Sequence, residues 1–157
     1  MTPALLRDAR PSDVDALLPL VRQFYAHFGY PCSEDEKRRA LEEIVSNPDL
    51  GRVVLVWVES AVVGYAVVAF SFSLEYDGRT AFVDELFVAP GERGRGLGAT
   101  VVRHVARLCR DAGVRALHLE TEHDNVRAAR LYERLGFRSY GRHLMTRILS
   151  SAAGPRA

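Results

Sequence analysis

Two stretches of this 157-residue chain bring together residue types that can do chemistry. The first runs Val83-Asp84-Glu85-Leu86-Phe87-Val88 and then, after a short turn, Arg93-Gly94-Arg95-Gly96-Leu97-Gly98-Ala99. Glycines at alternate positions let a backbone approach a ligand closely. If a helix opens there, its first amides lack internal acceptors and its dipole favours an anion. The run therefore reads as a phosphate cradle, with Arg93 and Arg95 able to add charge at its mouth. Its spacing is neither that of a P-loop, since no Lys followed by Ser or Thr comes after the last Gly, nor that of the dinucleotide fingerprint. Taken alone it is also compatible with an ordinary tight turn. The second stretch runs from Asn125 through Ala128 to Tyr132. Asn125 and Tyr132 lie about two helical turns apart and so share a face if both are helical. A helix cap for Asn125 and a core aromatic for Tyr132 fit that pair equally well.

These residues need elements to carry them. Ala4–Ala9 reads as a strand, and Ser12 and Asp15 have capping-box spacing ahead of the stripe Leu17, Leu18, Val21, Phe24, Tyr25, Phe28,. A second helix opens at Ser33 with Glu36 three residues on and ends at Asn47-Pro48,. The β-rich runs 52–59, 62–74 and 80–88, separated by Glu59-Ser60 and Asp77-Gly78, form a meander,. A helix follows from Gly98 to Ala112 with the apolar stripe Val101, Val102, Val105, Leu108, Cys109, then a fifth strand over 114–122, a short helix over 125–135, and one or two closing strands over 137–149 broken near Gly141,. The order predicts a mixed α/β sheet covered by helices on both faces, one domain over 1–150 with a flexible tail over 151–157,. Along the fourth strand, regular alternation sends Phe82, Asp84, Leu86 and Val88 to one face and Val83, Glu85 and Phe87 to the other, so a single carboxylate is expected at any pocket.

The two stretches together are specific. Arg93-Gly94-Arg95-Gly96-Leu97-Gly98 resembles the R/Q-x-x-G-x-G/A motif of the GNAT superfamily of N-acetyltransferases, and Asn125, Ala128-Ala129, Leu131-Tyr132 and Gly136-Phe137 resemble its second signature, with one extra residue before the Leu-Tyr. The opening Arg7-Asp8-Ala9 is similar to the superfamily's usual start. The resemblance implies a sheet splayed between its fourth and fifth strands with acetyl-CoA in the opening. The pantetheine arm would lie on the backbone of Leu86, Phe87 and Val88, the pyrophosphate on amides from Gly94 to Ala99, and Asn125 and Ala128 on the far side. Tyr132 is then the acid that protonates the departing thiolate, and the Val88 amide the donor to the oxyanion. Val83-Asp84-Glu85-Leu86-Phe87-Val88 also resembles the Leu-Glu-Asp-Phe-Phe-Val of polyamine acetyltransferases, where the first carboxylate is catalytic, which favours Asp84 as base. Glu85 or water stays the alternative.

Bulk properties add exclusions. A net charge of +1 argues for no nucleic acid or anionic membrane as partner,. Lys37 is the only lysine among 21 basic residues. Two cysteines, Cys32 and Cys109, are too few for a disulfide scaffold, and Cys109 on an apolar stripe reads as a buried thiol,. Histidines 27, 104, 118, 123 and 143 show no ligand spacing, so no metal is expected,. Glu75, Tyr76 and Asp77 fall on a hairpin tip that, in the fold the resemblance implies, lies on the acceptor side. With no long apolar run, the expected setting is the cytoplasm and the expected partner a small-molecule amine, a polyamine or a basic amino-acid analogue. A homodimer is compatible with this, and so are a protein-amine acceptor and an acyl-CoA sensor without turnover.

Overall fold

The apolar residues of the meander are continuous rather than strictly alternating, which is what a sheet buried on both faces requires. In a computed structural model describing residues 3–150, strands Leu5–Asp8 (β1), Gly51–Val58 (β2), Ala61–Ser73 (β3), Gly78–Val88 (β4) and Ala116–Leu119 (β5) form one sheet in the order β1-β2-β3-β4-β5. All neighbours are antiparallel except β4 and β5. Val53, Leu55, Tyr65 and Phe87 pack under helices Val14–Phe28 (α1) and Glu34–Ser46 (α2). Val54, Val56, Ala66, Val68, Ala81 and Val83 pack on the opposite face under Leu97–Asp111 (α3). Each such buried aliphatic side chain is worth about 1.5–3 kcal/mol of transfer free energy. The expected helix stripe holds: Val101, Val102, Val105 and Cys109 are buried while Arg103, Arg107 and Arg110 face out. A last helix, Val126–Arg134 (α4), follows β5.

Three local features differ from the sequence expectation. The first helix is not capped by the Ser12/Asp15 pair. Pro11–Asp13 forms one 3₁₀ turn, and the Asp13 carboxylate accepts two bonds from the Arg7 guanidinium at 2.8 Å and one from the Arg10 amide at 2.7 Å. A carboxylate flanked by a fork of donors outcompetes a hydroxyl at the neighbouring position. The fifth strand is short, and its parallel pairing with β4 stops at Val83↔Leu119 while β4 runs on to Val88. No strand forms over 137–149. Gly141 breaks that segment in the left-handed region at φ +67°, Leu144, Met145 and Leu149 are exposed, and alternation without a paired neighbour does not hold a strand,. The tail over 151–157 lies outside the described residues.

The Arg7–Asp13 fork ties β1 to the start of α1, and it holds the Asp13 carboxyl below the usual carboxylate range. Asp13→Ala should lower stability in urea titrations by about 2 kcal/mol at neutral pH, and Ser12→Ala by less than about 0.5. Because the folded-state value is depressed, the Asp13 contribution is lost as pH falls through it, so the two variants should converge in acid.

Candidate active site

The early end of the β4–β5 pairing coincides with an irregularity in β4 itself. Val67 pairs with Glu85 and Val68 with Val83, so Asp84 is an extra residue on β4, a β-bulge,. One inserted residue shifts the alternation by one. Ala81 and Val83 face α3, whereas Glu85 and Phe87 face α1, and Leu86 returns to the α3 side. The expectation that only one of the two carboxylates reaches a pocket is therefore corrected. Asp84 and Glu85 both line an open cleft of about 1580 Å³ between the splayed strands, the end of α1, and α4 with the segment after it.

The two carboxylates differ in their surroundings. Glu85 accepts a hydrogen bond from the Tyr25 hydroxyl at 2.6 Å and another from the Tyr65 hydroxyl at 2.8 Å. Burial pushes its pKa up, the two phenols pull it back, and the neighbouring Asp84 charge raises it again. Asp84 has no hydrogen bond or ion pair among the described residues; burial raises its pKa and the Lys37 ammonium lowers it. A carboxylate shifted upward and left without a partner is a better proton acceptor than one already holding two donors. Tyr132 lines the same cleft from α4, packed edge-on to Phe137 with ring centroids 5.9 Å apart, and burial raises its hydroxyl. Asn125 is the cap of α4: its side-chain oxygen accepts the Ala128 amide at 3.1 Å.

The glycine run sits where β4 enters α3. Gly94 and Gly96 hold φ of +80° and +76°, and a Cβ at either would meet open space. None of the amides from Gly94 to Ala99 has an acceptor among the described residues, the first helical bond being Thr100 to the Gly96 carbonyl at 3.1 Å. Free amides gathered at a helix start can donate to an anion. Its arginines are partly engaged: Arg93 donates from Nε to the Val88 carbonyl at 2.8 Å, and Arg95 pairs with Glu92. The Ala89 amide bonds the Val63 carbonyl, so the antiparallel alternation turns the N–H and C=O groups of Val88 and Leu86 away from β3, toward the open edge,.

Of the residues singled out in the sequence, Asp84, Leu86, Asn125, Ala128 and Tyr132 share the cleft lining. Phe87 is buried against Phe24 and Tyr65, and Val88 with the Arg93–Ala99 turn stands outside that lining, where the strand ends. Sequence reasoning missed Tyr25, Tyr65 and Lys37. Tyr25 falls on the stripe of α1 and so reads as core, and nothing in the local pattern reports its bond to a residue 60 positions away. Glu75, on the hairpin tip, is held by two bonds from Arg142, while Tyr76 faces the cleft. No group of three or more potential metal ligands gathers among the described residues, and no helix there is long and apolar enough to cross a membrane.

Residues 16–137 match the family model described as acetyltransferase (GNAT) family. Streptothricin acetyltransferase of Streptomyces lavendulae is 28% identical, the match covering 83% of this chain and 79% of that protein. Thialysine N-epsilon-acetyltransferase of Sus scrofa is 26% identical over 88% and 86%. Among solved structures, an integron cassette protein from the mobile metagenome of Cole Harbour Salt Marsh is 39% identical over 92% of this chain and 90% of its own, with a TM-score of 0.84.

The contrast between the carboxylates is measurable without a substrate. Both have folded-state pKa values raised above the ordinary range, so their ionisation opposes folding once pH rises past the unfolded value,. Asp84→Asn removes that opposition and loses no hydrogen bond. Its melting temperature should equal or exceed wild type at pH 8, with the difference closing in acid. Tyr65→Phe deprives a charged Glu85 of a donor, and should cost about 1–2 kcal/mol at pH 8 and less at pH 4.

Proposed function

The chain belongs to the acetyltransferase (GNAT) family, and on that premise we propose that it transfers the acetyl group of acetyl-CoA to the primary amine of a small molecule in the cytoplasm, by direct attack and without a metal. A polyamine or a basic amino-acid analogue is the acceptor class. The observation that carries the reading is the free edge of β4 from Asp84 to Val88, running straight into the unpaired amides from Gly94 to Ala99. A strand edge offers main-chain partners to an extended amide-bearing arm, and a helix start offers donors to a pyrophosphate. Leu86 and Val88 present the edge groups the pantetheine would use, and Asn125 and Ala128 stand across the cleft.

At neutral pH an alkylamine is mostly protonated and must lose a proton before it can attack the thioester, while the departing thiolate must gain one. Asp84 supplies the acceptor for the first proton, directly or through a water, since an aspartate arm is short. Tyr132, kept protonated by its burial, supplies the second. The Val88 amide, aimed at the open edge, is the donor for charge developing on the carbonyl oxygen. This assignment accounts for an unpaired carboxylate and an unbonded phenol in one cleft, which a non-catalytic acyl-CoA sensor would not need.

Two variants test separate halves of the proposal, beside a screen of amines for thiol release from acetyl-CoA. Gly96→Val places a side chain among the cradle amides. The left-handed φ adds about 1–2 kcal/mol of strain, but the space around it is open, so the protein should fold and lose more than about tenfold in acetyl-CoA affinity by calorimetry,. Tyr132→Phe should retain that affinity and lose about 10²-fold in kcat. Full affinity in the first or full turnover in the second overturns the corresponding assignment. The wild-type rate should rise with pH as Asp84 ionises and then level off, because Asp84 takes the proton from a bound ammonium, whereas Asp84→Asn, which relies on free neutral amine, should keep rising toward the amine's own pKa.

A further inference from the structure

Lys37 projects from α2 into the cleft that holds Asp84, with its ammonium 4.1 Å from the centre of the Tyr25 ring. Tyr25 in turn donates its hydroxyl to Glu85, so the ring on which the ammonium rests is fixed from the other side. Lys37 makes no ion pair among the described residues, and neither does Asp84. Glu85, the neighbouring carboxylate on β4, is already satisfied by two phenols. One wall of the open cleft thus carries a half-buried ammonium and a solvent-exposed carboxylate of opposite sign that form no ion pair, although the Lys37 charge is close enough to lower the Asp84 pKa. Two unpaired charges in a cleft that excludes part of the solvent are a template for a ligand carrying the complementary two.

We infer that the acceptor is a zwitterion, an amine that also bears a carboxylate, and that Lys37 is the residue that selects it by pairing with that carboxylate while Asp84 meets the amine. The inference rests on the acetyl-transfer reading above and narrows its acceptor class: a diamine would set its second ammonium against Lys37. Lys37 is not part of the chemistry. Its effect belongs in KM.

The test uses the full chain with acetyl-CoA and three acceptors that share a five-carbon amine arm: 6-aminohexanoate, pentylamine and pentane-1,5-diamine. Wild type should favour 6-aminohexanoate over pentylamine by about tenfold in kcat/KM, with the diamine poorest. Lys37→Met should erase that preference through KM with kcat little changed, and Lys37→Arg should keep most of it. A wild-type preference for the diamine, or an order unchanged in Lys37→Met, overturns the inference. If none of the three is acetylated while another amine in the screen is, the inference falls and the acetyl-transfer reading stands. If no amine releases thiol from acetyl-CoA, both fall.

Discussion

The structure turns on where β4 and β5 stop pairing. The parallel pairing runs to the last residue of the short β5, Leu119 opposite Val83, while β4 continues to Val88 with that edge uncovered. The extra residue Asp84 lies at the point of departure. A bulge increases local twist and leaves its residue outside the ladder, so the same insertion that bends β4 away from β5 also frees Asp84 from backbone pairing. Everything placed beyond that point, the open edge from Leu86 to Val88 and the glycine turn into α3, is reached because the sheet does not close there.

An open edge is normally a liability, because unsatisfied amides and carbonyls in a partly buried cleft cost free energy and invite other strands. The architecture limits that cost without removing the edge. Arg93 reaches back to the Val88 carbonyl and lies over the Phe87 ring, α4 and the segment after it wall the far side, and the core beneath is held by Phe87, Tyr65 and Phe24. The large burial under α1 and α3 on either face keeps the sheet rigid up to the splay. The backbone groups left open by the splay lie along the β4 edge and at the start of α3.

Much of this was legible in the amino-acid sequence, for identifiable reasons. Periodicity reports on local geometry, and it placed the helices, the meander and the glycine turn, because 3.6-residue and two-residue spacings survive in any tertiary context. It failed at Asp84, where the insertion of one residue is invisible in a run of β-formers yet reverses which side chains share a face. It failed for Asp13, because the choice between Ser12 and Asp13 as the start of α1 is decided by Arg7, a residue on another element. It failed over 137–149, where strand-like composition meets no paired neighbour. Family resemblance pointed to Tyr132 and the glycine run but not to the electrostatics of the cleft: the Tyr25–Glu85 and Tyr65–Glu85 bonds span 60 and 20 residues of sequence.

The distribution of partners around Asp84 and Glu85 carries a general point about adjacent carboxylates. Two such groups in one cleft raise each other's pKa, and unless their environments diverge they titrate as one unit with no division of roles. Here the bulge turns Glu85 toward two phenols on the α1 side and leaves Asp84 to solvent and Lys37. The phenols hold Glu85 in place and restrain its ionisation cost, so it orders Tyr25, whose ring in turn seats the Lys37 ammonium. One carboxylate thereby becomes scaffold for the cleft's only lysine, and the other stays available. A substitution that straightened β4 would undo that division before it changed any single contact, since both side chains would then have to leave their present faces.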